Sequence, residues 1–278
     1  MNRSIAFIGA GKVGVALGIY FKDNGFGVSG YLSRSLDSAK RAAEYTNSVA
    51  HNSMANLLND SDIVWITTPD GQIEDVANEI AKYPVADDNP KLILHASGAL
   101  SAQVLAMAKQ AGYRTAVAHP LMAFGNPMVA SKELHRVWFA VEEEEERISK
   151  LLRDCGNNTF EVATELKPLY HAAACVLSNY MVTLVNAAQQ IFEKSGLPKQ
   201  HLANATRPLI DSVIENLAMQ APKDALTGPI RRGDKETVQL HLDVMGRETP
   251  EMLNLYKQMG RETMKMIGDF KLNDILED

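Results

Sequence analysis

The first residues whose types and spacing could do chemistry are Gly9-Ala10-Gly11-Lys12-Val13-Gly14, a GxGxxG pattern. Such a pattern carries weight only in context. Here a strand-like SIAFIGA leads into it and an apolar, helix-like VGVALGIYF follows. Gly9 would permit a tight turn, Gly11 would let the backbone approach a pyrophosphate, and Gly14 would let the helix pack on the strand. Lys12 and Val13 open that helix, whose free N–H groups and dipole favour an anion. The competing interpretation is a plain strand–turn–helix with no ligand.

A second group lies at the tip of the next strand, Tyr31-Leu32-Ser33-Arg34-Ser35. An NAD site usually places an acid there, to hold the ribose 2′-hydroxyl. This tip has none, and Asp37 falls in the first turn of the following helix. Arg34 offers a forked cation for a 2′-phosphate, with Ser33 and Ser35 as hydroxyl donors, so the expected cofactor is NADP. If Arg34 is only a solvated loop residue, the cofactor is NAD.

Later strand ends add Thr67-Thr68-Pro69-Asp70, His95-Ala96-Ser97-Gly98 and His119-Pro120-Leu121-Met122. Ligands of open α/β sheets bind beyond the carboxyl ends of the strands. Thr67, Thr68, Pro69 and Ser97 are therefore expected at the cofactor, Ser97 near the nicotinamide, and His119 at the substrate. His95 fits a core histidine equally well. Lys167-Pro168-Leu169-Tyr170-His171 then opens a long helical stretch. His171 and Ser178 share a helical face, flanked by Lys167 and Asn179, and small alanines leave room beside it. These four are the candidate catalytic residues; the alternative is a polar seam between domains. Finally, Leu226-Thr227-Gly228-Pro229-Ile230-Arg231-Arg232-Gly233-Asp234 reads as a shaped loop. Thr227 and Arg232 are its candidate substrate ligands, against the alternative of solvated surface arginines.

The elements that must position these groups follow from pattern. Strands are expected at Ile5–Gly9, Phe26–Leu32, Asp62–Thr67, Lys91–His95, Thr115–His119 and Arg136–Val141, with Thr159–Ala163 as an edge strand. Helix-like stretches alternate with them, which is the pattern of an α/β fold with a doubly wound, mostly parallel Rossmann-type sheet. From Pro168 the helical period dominates, predicting a second, all-helical C-terminal domain. The boundary is placed between residues 164 and 165. The acidic run Glu142–Glu146 is read as a solvated first helical turn rather than a metal cluster.

Composition sets the outer limits. A chain of 278 residues suits two domains, and 46% hydrophobic with 22% charged residues is ordinary for a globular enzyme. The net charge is −6, with no basic stripe, which argues against nucleic acid or an anionic membrane as partner. Two cysteines, Cys155 and Cys175, with no CxxC pair argue against a disulfide scaffold or zinc site and fit a reducing cytoplasm. No signal peptide or bilayer-spanning run is visible.

Taken together, GAGKVG, LHASG, AHPLMAFG, KPLYHAAACVLSNY and LTGPIRRGD…HL resemble a family of two-domain, Rossmann-like NADP oxidoreductases. The resemblance spans nearly the whole chain. It implies a nucleotide-binding half, an all-helical half and, for some members, an alternative ketopantoate reductase of pantothenate synthesis. More distantly the layout is similar to pyrroline-carboxylate reductases and β-hydroxyacid dehydrogenases. The latter use a Lys-x-x-x-Asn pair, whereas Lys167 and Asn179 lie farther apart. The expected activity is NADPH-dependent reduction of a small oxo acid, best represented by ketopantoate. The rivals are an imine reductase of the pyrroline-carboxylate type and a non-catalytic NADP-binding sensor. A helical domain this small is also expected to bury its apolar faces in a homodimer.

Overall fold

The computed structural model describes residues 4–85, 90–142 and 146–277. Two compact units divide the chain, Met1–Ser178 and Asn179–Asp278. The division falls inside the long helical stretch, so the turns that carry Lys167 and His171 pack with the sheet.

The first unit holds eight strands: β1 (Ser4–Ile8), β2 (Gly27–Leu32), β3 (Val49–His51), β4 (Ile63–Ile66), β5 (Leu92–His95), β6 (Arg114–Pro120), β7 (Phe139–Glu142) and β8 (Thr159–Glu161). Their order in the sheet is β3-β2-β1-β4-β5-β6-β7-β8. All pairs are parallel except β6–β7. Helices α1 (Lys12–Asp23), α2 (Leu36–Thr46), α3 (Met54–Asn59), α4 (Ile73–Ile80), α5 (Ala106–Gln110), α6 (Pro127–Glu133) and α7 (Glu146–Asp154) connect them. The order reverses on either side of β1 and β4, which creates the crevice that doubly wound sheets use for ligands.

Period-two alternation explains why the sheet is buried on both faces. Along β1, Ile5 and Phe7 join one core with Leu17, Phe21, Tyr31 and Trp65. Ala6 and Ile8 join another with Leu57, Ile66, Ile73 and Ile93. Strands buried on both faces read as continuous apolar runs, which is why β1, β4 and β5 stand out in the sequence. Strand β3 does not: Val49-Ala50-His51 runs from exposed to buried with a histidine as its inward residue, and so shows no apolar run.

Helix α8 (Lys167–Cys175) runs through a π-helical turn, Val176–Tyr180, into α9 (Met181–Lys194). The remaining helices are α10 (Leu202–Met219), α11 (Pro222–Ala225), α12 (Pro229–Arg232), α13 (Lys235–Glu248), α14 (Pro250–Ile267) and α15 (Asn273–Leu276). Within the second unit, Val238, Leu242, Met264, Leu272 and Leu276 form a small core. The described residues of this unit contain no strand, as its helical periodicity predicts. No described helix is long and apolar enough to cross a membrane.

Candidate functional site

The glycine loop takes the shape its spacing predicts. Gly9 sits at φ +111°, and a Cβ there would lie 2.8 Å from the Thr67 backbone. A Cβ on Gly14 would stand 2.5 Å from both the Gly9 carbonyl and Thr67 Oγ1, so only glycine allows α1 this close to the loop. At Gly11 nothing lies within 4 Å of the Cβ position, leaving the start of α1 open. Gly11 caps α1 without a side-chain hydrogen bond, so the first N–H groups, those of Lys12 and Val13 among them, face that opening uncapped. Thr67 Oγ1 donates to the Gly9 carbonyl at 2.9 Å and ties the loop to the end of β4.

A cavity of about 550 Å³ is lined by Gly9 and Gly11, by Thr67, Thr68 and Pro69, by Ser33, Arg34 and Ser38, and also by Asp75 and Glu79. Thr68 Oγ1 is buried without a hydrogen-bond partner. An anion site at the start of α1 and a second one at the Arg34 guanidinium, lining one cavity, fit a dinucleotide. Ser35 caps α2, its hydroxyl accepting from the Ser38 N–H and keeping its own proton to donate. Ser38, not singled out in the sequence, takes a place in the cavity wall.

Across the crevice, the ends of β5, β6 and β7 converge with α8 on a cluster of titratable groups. Ser97 Oγ donates to Asp70 Oδ2 at 2.8 Å and accepts from the N–H groups of Ala99 and Leu100. Its hydroxyl shapes the turn through these three bonds. His95 is fully buried. It accepts the Ser97 N–H on Nδ1, so its Nε2–H donates to the Ser101 carbonyl. Burial, aided by the Lys167 charge and opposed by the Ser101 bond, pulls its pKa down to about 4.

Lys167 is 1% exposed and Glu142 2% exposed, and their charges pair at 3.6 Å. Glu142 Oε1 also accepts from the Ala102 N–H and Thr164 Oγ1. Burial lowers the Lys167 pKa, and Glu142 opposes that shift. This corrects the reading of Glu142 as part of a solvated helical turn: it closes strand β7 and is a buried counter-ion. Glu146 does open α7, and residues 143–145 lie outside the described residues. Lys167, expected among the catalytic residues, lies buried beside Glu142, and its charge lowers the basicity of His95 and His119.

His119 Nδ1 and Tyr170 Oη are 2.6 Å apart, and the His119 and His171 rings meet edge to face at 6.3 Å. Both rings edge the space a Gly98 side chain would fill. A Cβ there would stand 2.9 Å from His171 Cδ2 and 3.0 Å from His119 Nε2. Burial, then His171 and Lys167, pull the His119 pKa down to about 4. Burial raises the Tyr170 phenol to about 12.

The comparisons agree with this architecture. Residues 2–120 match the model of a Rossmann-like domain, and residues 137–263 match a domain of unknown function, DUF2520. The sheet is Rossmann-like. Among curated protein sequences, no relative matches. Among solved structures, a Bacteroides fragilis protein named as a candidate NADP oxidoreductase is similar at TM-score 0.73 and 20% identity, over 95% of this chain and 98% of that one. A Thermotoga maritima protein follows at TM-score 0.70 and 24% identity, over 95% and 98%. Pyrroline-5-carboxylate reductase from Coxiella burnetii is similar at TM-score 0.61 and 15% identity, over 99% and 97%. At these identities the likeness is one of fold.

The DUF2520 match begins just before the strand of Glu142 and includes Lys167, Tyr170 and His171. Ser178 donates to the Ala174 carbonyl of its own helix at 2.7 Å. In the second unit, the exposed Asn179 lies in the π turn, where its carbonyl accepts from Thr183 Oγ1. Thr227 precedes Gly228, and Arg232 ends the short α12, 3.8 Å from Asp234, which caps α13. Sequence reasoning missed Glu142 and Tyr170. The strand expected at Arg136–Val141 stopped one residue short of the acid, and Tyr170 stands next to His171 inside the KPLYHAAACVLSNY motif.

Proposed function

We propose that the chain is an NADPH-dependent reductase of a small carbonyl compound, an oxo acid with ketopantoate as the best single candidate. The observation that carries this reading is the one cavity joining the open start of α1 to Ser33 and Arg34, beside a histidine cluster on the neighbouring strand ends. Gly9, Gly11, Lys12 and Val13 would hold the pyrophosphate, Thr68 would gain a partner for its orphaned hydroxyl, and Arg34 with Ser33 and Ser38 would hold the 2′-phosphate. The nicotinamide would supply reducing equivalents; the chain's own part is to bind, orient and offer hydrogen bonds. His119 and His171 would orient the substrate over Gly98, with Lys167 as a fixed charge behind them.

An imine of the pyrroline-carboxylate type is the second reading, favoured by the fold shared with pyrroline-5-carboxylate reductase. A screen of NADPH oxidation against small oxo acids and cyclic imines tests both; NADPH binding without turnover on either class would leave a sensor. The named structural neighbour of Bacteroides fragilis supports the choice of NADP over NAD. The functional unit is proposed to be a homodimer. Helices α9 and α10 expose Val182 at 71%, Leu209 at 58% and Met219 at 85%, more apolar surface than an isolated small domain usually leaves to water. Light scattering at micromolar concentration should return twice the chain mass, and the monomer mass would refute the dimer.

A further inference from the structure

We infer that Tyr170 sets the tautomer of His119, so that the free ring nitrogen over Gly98 is an N–H donor that selects substrates presenting an acceptor oxygen. The inference rests on the proposed reductase for its functional consequence, but the tautomer itself belongs to the chain alone.

His119 lies near the end of β6, with Nδ1 2.6 Å from Tyr170 Oη. A phenol is a stronger acid than a neutral imidazole N–H, and an imidazole nitrogen is a stronger base than a phenol oxygen. Tyr170 therefore donates and Nδ1 accepts, which leaves the ring proton on Nε2. Packing keeps the pair in register. Phe160 stacks edge to face on Tyr170 at 5.8 Å, and the Tyr170 and His119 rings meet edge to face at 5.5 Å. Nε2 is the ring nitrogen left over, and it packs tightly against Gly98: a Cβ there would stand 3.0 Å from it, closer than an ordinary contact, so only glycine fits under the ring. His119 stays neutral at physiological pH, because burial and two neighbouring bases oppose a positive charge there. It acts as a neutral donor, not an imidazolium.

A donor in that place discriminates by hydrogen-bond polarity. A carbonyl oxygen accepts from Nε2–H. A protonated imine carries its own N–H and would meet donor against donor, leaving two polar groups unpaired in a partly buried site. With the opposite tautomer, Nε2 would be a bare acceptor and the preference would reverse. The residue that touches substrate is His119; Tyr170 is a positioning residue that acts through it.

The test begins on the full chain without added ligand, labelled with 15N-histidine. Long-range 15N–1H spectra at pH 7, assigned with His119→Asn, should show Nδ1 of His119 bare and Nε2 protonated. Tyr170→Phe should mix the two forms. A wild-type spectrum with Nδ1 protonated and Nε2 bare overturns the inference without any variant having to fold. In turnover, kcat/KM should favour oxo acids over cyclic imines. Tyr170→Phe should lower kcat on the oxo acid about three- to tenfold, with the NADPH Kd unchanged. A wild-type preference for imines, or unaltered oxo-acid kcat in Tyr170→Phe, would also overturn it. Failure to bind NADPH at all would count against the reductase, and the tautomer spectrum would still decide this inference by itself.

Discussion

On the β1–β2–β4 side of the crevice, the candidate site is made almost wholly of backbone shape. On the β5–β6–β7 side it is made of side chains that titrate. Gly9, Gly11 and Gly14 matter through what they lack, and Thr67 holds their loop by neutral hydrogen bonds of its hydroxyl, the shorter one to the Gly9 carbonyl. Opposite them, His95, His119, Glu142 and Lys167 are buried or nearly so and electrostatically coupled. The difference teaches where each half is vulnerable. A backbone-built anion site fails through crowding or lost contacts, with little dependence on pH. A cluster of buried ionisable groups fails when one partner is removed or when protons are added.

The largest expected effect tests that contrast directly. Glu142→Ala removes the counter-ion of a lysine that is 1% exposed. Breaking a buried pair from one side costs about 3–5 kcal/mol, because the remaining charge stays uncompensated. Thermal unfolding of Glu142→Ala should show the loss, and the double variant Glu142→Ala/Lys167→Met should recover most of it. A double variant no more stable than the single would mean the carboxylate matters through Ala102 and Thr164 instead.

Acid should separate the two sides as well. The His95 pKa falls from 6.5 to about 4 on folding, chiefly through burial. A folded pKa below the unfolded one means that the unfolded chain binds the extra proton first. His95 thus contributes its full stability above pH 6.5 and loses it as pH falls towards 4, to a total of about 3 kcal/mol. His119 adds a loss over the same window. Denaturant unfolding from pH 7.5 to 4.5 should show that slope, and His95→Gln should flatten it. An unchanged slope would remove His95 as the titrating group.

These two halves were unequally legible in the sequence, for the same reason. GxGxxG declares itself because all its constraints are local: turn, approach and helix packing fall within six consecutive residues. Glu142 and Lys167 are 25 residues apart in sequence and declare nothing until the antiparallel β7 and the start of α8 bring them together. An acidic run is normally solvated, whereas strand β7, buried along its whole length, continues one residue into this one and takes Glu142 with it. Ser97 was placed correctly at a strand end, but a sequence does not show that its hydroxyl is spent on Asp70 and two N–H groups.

Arg34 carries the specificity side of the comparison. Arg34→Ala should weaken NADPH binding by about 1.5–3 kcal/mol, roughly ten- to hundredfold, by deleting one charge-assisted contact. NADH binding should hardly move. Isothermal titration with both cofactors measures the difference, and equal losses for the two would place Arg34 outside the 2′-phosphate subsite.

The smallest effect asks whether the glycine side depends on any side chain. Thr67→Val keeps the shape but removes the hydroxyl that donates to the Gly9 carbonyl at 2.9 Å and stands where a Gly14 side chain would clash. One neutral hydrogen bond contributes about 0.5–1.5 kcal/mol, so a modest drop in stability is expected, measurable by urea unfolding. Because the carbonyl belongs to the loop that borders the cavity, the same substitution should raise the NADPH Kd by a small factor. Its effect should be the same at pH 7.5 and pH 5, since no titrating group is involved. A pH-dependent effect would mean that the loop is coupled to the Asp70–Ser97 pair that follows Thr67 at the end of β4, and the division between a backbone half and a titrating half would then fail.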